Sequence, residues 1–228
     1  MGRGSKSLYF FILNHEYWRF LSMGKRRMWL NEKKKDHYYK KAKKENLRSR
    51  AAFKLIQLNE KFKFKLIKKG DSVLDLGCAP GGWLKAIKNL VGEKGIVVGV
   101  DLQPITPIPQ VKFVLGDITD ENTIAEIKEY NSSFDVITSD CSPNVSGNWE
   151  VDHARQIYLA EMSLEICQQL LCEGGNFVVK VFQGELFEDF IEKMKQMFEK
   201  VIISKPDASR KRSSEIYVVG RQYDPKYS

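Results

Sequence analysis

The spacing of apolar residues changes repeatedly along this chain, and each change marks an element. Val73, Leu74 and Leu76 surround Asp75 and run into the small residues Gly77, Cys78, Ala79, Pro80, Gly81 and Gly82, after which Leu84, Ala86 and Ile87 take up helical spacing. This predicts a strand over 73–77, a tight turn and a helix over 81–90. Further strands are predicted over 95–101, 112–117, 135–140, 175–182, 200–205 and 215–221, and further helices over 120–130, 151–172 and 185–199. Such alternation gives an α/β fold, a mainly parallel seven-stranded sheet with helices on both faces. Only a loop separates the last two strands, so they pair antiparallel or lie far apart, and an antiparallel last strand is expected. The long helix carries Ile157, Ala160, Leu164, Cys167 and Leu171 at three-four spacing and is expected to stop at Gly174 and Gly175. Ahead of this body, Leu47, Ala51, Leu55 and Leu58 predict an amphipathic helix over 47–60 that docks on it, with Arg48 and Arg50 pointing away. Lys54 stands at the edge of that stripe, where by pattern alone its stem covers the core and its ammonium stays in water.

Charge divides the chain more sharply than the elements do. The total is +8, but 24–69 carries eighteen Lys and Arg against four Asp and Glu, a local +14, and 1–23 a further +2, leaving −8 from Gly70 onward. A charge run by itself is a solvated face. Segregation this sharp, with Trp29, Tyr38, Tyr39 and Phe53 interleaved in the basic part, points to nucleic acid. Residues 24–45 show little apolar periodicity and read as an arm that is flexible until it meets its partner. The apolar run over 8–13 is far short of the ~20 residues a membrane span needs. No small-residue cleavage site follows it, so neither a span nor a signal peptide is expected. Met23, Gly24, Lys25 and Arg26 look like a natural beginning, which makes residues 1–23 an N-terminal extension of unassigned role, or the product of an upstream start. Cys78, Cys141, Cys167 and Cys172 form no Cys-x-x-Cys pair and no histidines stand at zinc spacing. No metal site and no disulfide framework is expected, and the compartment reads as reducing.

The glycine turn is the first candidate for chemistry. Its spacing, Gly-x-x-x-Gly-Gly, differs from the Gly-x-Gly-x-x-Gly that seats a pyrophosphate on a helix N-terminus, so a ligand without phosphate fits it better. S-adenosylmethionine is such a ligand: its adenosine, amino-acid end and sulfonium call for carboxylates and a close backbone. Taken alone, a βα turn that merely packs explains the glycines equally well. The acidic residues near strand ends decide, because in an open α/β sheet ligands bind beyond the carboxyl ends of the strands. Asp75, Asp101, Asp117 and Asp140 stand there on successive strands. Asp101 is placed to accept hydrogen bonds from a ribose diol and Asp117 from an adenine amino group. The plainer role for each is to cap the following helix, above all for Asp117 ahead of Thr119 and Asp120. Lys180 is the other oddity, an ammonium inside the apolar strand Val178-Val179-Lys180-Val181-Phe182, where it needs a partner; Asp140 and Glu215 are available.

Several stretches together carry a resemblance: Leu47-Arg48-Ser49-Arg50-Ala51, the turn over 73–83, Asp140 with Pro143-Asn144-Val145-Ser146-Gly147, residues 177–185, and Lys205-Pro206-Asp207-Ala208-Ser209-Arg210 through Glu215. They resemble, collinearly over 24–221, the FtsJ/RrmJ family of ribosomal RNA 2′-O-methyltransferases; residues 1–23 fall outside the match. The resemblance implies a Rossmann-like, S-adenosylmethionine-dependent methyltransferase domain over 70–221, preceded by a basic RNA-binding arm and docking helix over 24–69 and followed by a tail over 222–228. It implies a cytoplasmic monomer acting on the 2′-hydroxyl of a uridine in large-subunit ribosomal RNA or its precursor. It also implies a Lys-Asp-Lys-Glu tetrad at Lys54, Asp140, Lys180 and Glu215, and a cofactor site lined by Gly81, Trp83, Asp101, Asp117 and Asp140. A ribose hydroxyl is a poor nucleophile, so such an enzyme must align the oxygen and remove or share its proton. Lys180 is then base or hydroxyl orienter, Asp140 and Glu215 hold it, and Lys54 helps position the ribose. Cys78 and Cys141 have no assigned role. Three other readings stand beside this one. Retention of all four tetrad positions counts against a non-catalytic RNA-binding ribosome-assembly factor, and the glycine spacing counts against a nicotinamide-dependent dehydrogenase. The matches at Gly184, Glu185 and 205–210 count against the same chemistry on a transfer RNA or an mRNA cap.

Overall fold

The structure is a computed structural model and describes residues 37–44, 47–62, 64–210 and 212–227. Within the basic arm, α1 (His37–Lys44) is helical where the sequence pattern pointed to flexible chain. The extension over 1–23, with its apolar run, and the arm from 24 to 36 lie outside the described residues. The docking helix α2 (Ala51–Lys61) begins later than its apolar stripe, residues 47–50 leading into it as coil and turn. Arg48 and Arg50 do not point away. The Arg48 guanidinium donates to the carbonyls of Thr106 (2.5 Å) and Pro107 (2.9 Å), and Arg50 donates to that of Ala208. A guanidinium carries five donors and no acceptor, so loop carbonyls are natural partners for it, and these two fasten the lead-in segment to the body on two sides.

The body follows in the expected alternation: β1 (Ser72–Leu76), α3 (Gly82–Val91), β2 (Ile96–Asp101), β3 (Lys112–Leu115), α4 (Glu121–Tyr130), β4 (Phe134–Ser139), α5 (Trp149–Leu170), β5 (Leu171–Phe182), α6 (Phe187–Met197), β6 (Phe198–Ser204) and β7 (Glu215–Tyr223). The sheet has seven strands in the order β3-β2-β1-β4-β5-β7-β6. The first five strands of that order are parallel, and β7 lies between β5 and β6, antiparallel to both. Side chains alternate between two cores. Leu74, Leu76, Val179, Val181, Ile216 and Val218 pack under α4, α5 and α6, whereas Val73, Val178, Tyr217 and Val219 pack under α2 and α3. By the same alternation Lys180 and Glu215 belong to the α2 side, where Lys180 pairs with Tyr217 in the β5–β7 register and Glu215 with Phe182.

Most boundaries move by one or two residues, and two of the differences bear on the fold. Helix α5 ends at Leu170, and Gly174 and Gly175 lie inside β5 instead of stopping the helix. Gly174 has φ +76°, and the β4–β5 register shifts between Phe134 and Val136, so the glycines serve an irregularity at the strand's start. Strand β7 runs to Tyr223, which pairs with Phe198, and so takes up two residues read as tail.

Candidate active site

Strand β1 is flanked by β2 and β4, and the chain runs outward from it first one way and then the other; this reversal opens a cleft beyond the strands' carboxyl ends. A cavity of about 760 Å³ occupies it, lined among others by Gly77, Asp101, Asp117, Asp140, Arg155 and Tyr158. Gly77 has φ +70°, and a Cβ there would lie 2.6 Å from Cys141 Sγ and 2.8 Å from its Cα, so only glycine lets the two loops pass each other. Asp101 ties the floor together. Its Oδ2 accepts from Ala79 N (2.7 Å) and its Oδ1 from Gln103 N (2.8 Å), on the loops that follow β1 and β2. Asp117 accepts from the backbone and hydroxyl of Thr119 through Oδ1 (2.9 and 2.8 Å), while the cap of α4 is Asp120, which accepts from Asn122 N.

The residues named for the cofactor do not all meet here. Asp101, Asp117 and Asp140 line the cavity; Gly81 and Trp83 are not among its lining residues. Gly81, at φ +94°, lies against Arg48 and Ile108, and Trp83 is buried in the core with its Nε1 donating to Ala51 O (2.8 Å). Leu102 and Ile118, each following an aspartate, line the cavity instead.

Lys54, Asp140, Lys180 and Glu215 come together as two ion pairs. The Lys180 ammonium, on a residue only 5% exposed, lies 3.2 Å from Asp140 Oδ1 and donates to the Asp140 carbonyl (2.8 Å). Lys54 from α2 lies 2.6 Å from Glu215 Oε1, which also accepts from Ser209 Oγ (3.0 Å). Glu215 is thus the partner of Lys54, where the sequence had offered it to Lys180. Tyr217 joins the pairs: its hydroxyl donates to Asp140 Oδ1 (2.8 Å), its ring lies 5.7 Å from the Lys54 ammonium, and it packs beside Trp83. Burial pushes the Tyr217 phenol well above its usual range, and the carboxylates Asp140 and Glu215 push the same way, so it stays a donor. A buried ion pair adds little stability over a well-packed apolar one. Two of them, joined to the cleft through Asp140, therefore speak for chemistry that needs a cation and its acceptors held in register.

The FtsJ-like methyltransferase model matches residues 47–223, which include every one of these groups. The chain belongs to the FtsJ-like methyltransferase family. Proteins called ribosomal RNA large subunit methyltransferase E are similar to it over most of its length: one from Methanococcus maripaludis is 50% identical over 89% of this chain and 79% of its own length, and one from Methanocaldococcus jannaschii is 49% identical over 90% and 85%. Among solved structures, a Plasmodium falciparum protein named a ribosomal RNA methyltransferase superposes with a TM-score of 0.68 at 33% identity, covering 77% of this chain and 98% of that one. A fibrillarin from Aeropyrum pernix, solved with natively bound S-adenosyl-L-methionine, matches with a TM-score of 0.53 at 15% identity over 76% of this chain and 74% of its own, a likeness of fold.

Tyr217 is what sequence reasoning passed over in this FtsJ-like methyltransferase. An aromatic residue in an apolar strand reads as core, and the signal lay in its place two residues after Glu215, on the same face. Arg155 and Tyr158, one α-helical turn apart on α5, were likewise hidden in a helix read for its apolar stripe.

Beneath the cavity floor Asp75 is wholly buried. Its Oδ1 accepts from Thr138 Oγ1 (2.7 Å), and Oδ2 has no hydrogen-bond partner among the described residues. Burial pushes its carboxyl well above the usual range, with the Thr138 hydrogen bond opposing. A raised folded value means that the folded state holds the proton more tightly than the unfolded chain does. The contribution to stability is therefore full below the unfolded value of about 3.9 and is lost as pH rises through the folded one. Asp75→Asn keeps an acceptor for Thr138 and removes the titration. Its melting temperature should fall less between about pH 5 and about pH 8 than that of the wild type; parallel curves by thermal unfolding would show that Asp75 is already ionised in the fold. Cys141, also at the cavity, is pushed up to about 11 chiefly by burial and keeps its proton near neutral pH.

Proposed function

We propose that this FtsJ-like methyltransferase transfers a methyl group from S-adenosylmethionine to the ribose 2′-hydroxyl of a uridine in large-subunit ribosomal RNA. The observation that carries the reading is the buried Lys180 ammonium held on Asp140, at the rim of a cleft that Asp101 and Asp117 also line. The residues present fit the donor. Each Asp101 oxygen takes one backbone N–H and so retains a lone pair for a ribose hydroxyl. Leu102 and Ile118 offer apolar side chains for an adenine, and three carboxylates give the cleft an anionic wall suited to a sulfonium. When bound, S-adenosylmethionine would supply an electrophilic methyl group, which in-line attack at its carbon transfers to the oxygen while the sulfur leaves as a neutral thioether.

Within the chain, Lys180 aligns the attacking hydroxyl; as an ammonium it only orients the oxygen, and it takes the hydroxyl's proton where it has first given up its own and stands as the free amine. Asp140, steadied by Tyr217, fixes the ammonium, and Lys54, held by Glu215, positions the ribose. The +14 of residues 24–69 supports a polyanionic substrate, and the names of the relatives support large-subunit ribosomal RNA. We place the reaction in the cytoplasm and assign it to a monomer without a metal.

Mapping 2′-O-methylated riboses in ribosomal RNA from cells with and without the protein tests the reading. One uridine of the large subunit should lose its methyl group, and an unchanged map would sink the assignment. Deleting residues 1–45 should weaken RNA binding and flatten its dependence on salt, because the slope shrinks by about one for each phosphate that the protein no longer neutralises. A slope that survives the deletion would leave the arm as a solubilising tail.

A further inference from the structure

Trp149, the first residue of α5, is 47% exposed, and its ring packs against two others. It lies nearly parallel to two other rings, His153 at 5.8 Å and 18° and Phe182 at 5.9 Å and 21°. His153 is buried, and its Nε2 accepts from Leu186 N (3.0 Å). Gly184 packs closely against that imidazole, since a Cβ there would stand 2.7 Å from it. The turn after β5 thus braces His153, and His153 with Phe182 braces Trp149, so the part of the indole left to solvent is held in place ahead of binding.

The position of this face says what it takes. Phe182 follows Lys180 by two residues on the same face of β5, about 7 Å along the strand, and pairs with Glu215 in the register. The aromatic stack therefore begins where the Lys54, Asp140, Lys180 and Glu215 cluster ends. We infer that the exposed ring of Trp149 is a stacking platform for an unpaired RNA base adjacent to the nucleotide whose ribose reacts; the inference rests on the proposed RNA methyltransferase reading. A ribose at Lys180 must bring its neighbouring nucleotide with it, and a base has a π-face that stacks on an aromatic ring whatever its sequence. Val145, 69% exposed, and Leu186, 39% exposed, add apolar surface from the loops after β4 and β5, which suits a base better than a phosphate. A protein seated on the same face would crowd the approach that the ribose needs.

Trp149→Ala and Trp149→Phe test this. With large-subunit ribosomal RNA transcribed in vitro and saturating methyl donor, Trp149→Ala should raise KM for RNA about 5- to 100-fold, with kcat and donor affinity little changed. Trp149→Phe should recover most of the loss, which a merely structural role would not predict, and thermal unfolding checks that both variants fold. In parallel, a fluorescent single-stranded oligouridylate should bind the wild type more tightly than Trp149→Ala, whereas an abasic oligoribonucleotide of the same length should bind both alike. Equal KM values and equal oligouridylate binding overturn the platform. So does a variant unchanged toward RNA that has lost a protein partner in cell extract. If the wild type itself fails to methylate the ribosomal RNA, the substrate reading fails, and the two oligonucleotides still decide on the platform.

Discussion

Lys180→Ala is expected to lower methyl transfer by about 10²–10⁴ while leaving donor binding nearly intact, because a base or hydroxyl orienter contributes in the transition state and not in the donor complex. Single-turnover rates with excess enzyme, set beside calorimetric titration with S-adenosylmethionine, separate the two quantities. Lys180→Arg should restore little. A guanidinium does not lose its proton, and its fork cannot reproduce the single ammonium that meets both the carboxylate and the carbonyl of Asp140. Glu215→Ala should hurt less than Lys180→Ala, since Glu215 holds Lys54 and leaves the Lys180 pair standing. Near-wild-type turnover in Lys180→Ala would falsify the tetrad mechanism. Full activity in Lys180→Arg would reduce Lys180 to an electrostatic role.

Asp101→Ala should weaken S-adenosylmethionine binding by about 1.5–3 kcal/mol, roughly a 10- to 100-fold rise in Kd, the range for hydrogen bonds to a charged group. The loss has two sources. A ligand hydroxyl loses its acceptor, and the loops carrying Ala79 and Gln103 lose the carboxylate that joins them. Asp101→Asn separates these, because the amide keeps one acceptor oxygen and forfeits the charge; its Kd should fall between the other two. Unaltered affinity in Asp101→Ala would remove Asp101 from the donor site.

The sheet was legible in the sequence because seven strands and their helices repeat the two periodicities that burial on both faces demands. Lys180 was legible for the opposite reason, as a charge that breaks such a period and must be compensated. What escaped was every group whose role depends on a distant partner. Arg48 and Arg50 read as outward because they fall off the apolar stripe of Leu47, Ala51, Leu55 and Leu58; their acceptors are carbonyls of Thr106, Pro107 and Ala208, far away in sequence. Trp83 sits beside the glycine turn in sequence, but as the second residue of α3 it turns its indole toward α2 and away from the cleft. The division of the four charged residues into Lys54 with Glu215 and Lys180 with Asp140 follows from α2 crossing the face that β7 and β5 share, and no spacing along the chain encodes that.

Strand β7 is last in the chain and yet has neighbours on both sides, and it carries both Glu215 and Tyr217. During synthesis β5 therefore waits with an open edge, and β6 has no place in the sheet, until β7 has emerged and threads between them. A nascent chain arrested after Ser214 can hold every residue of the donor cleft and still lack the acceptor for Lys54 and the hydroxyl that steadies Asp140. The charged centre is thus incomplete until β7 is in place, and a chain truncated ahead of Glu215 is expected to lack activity.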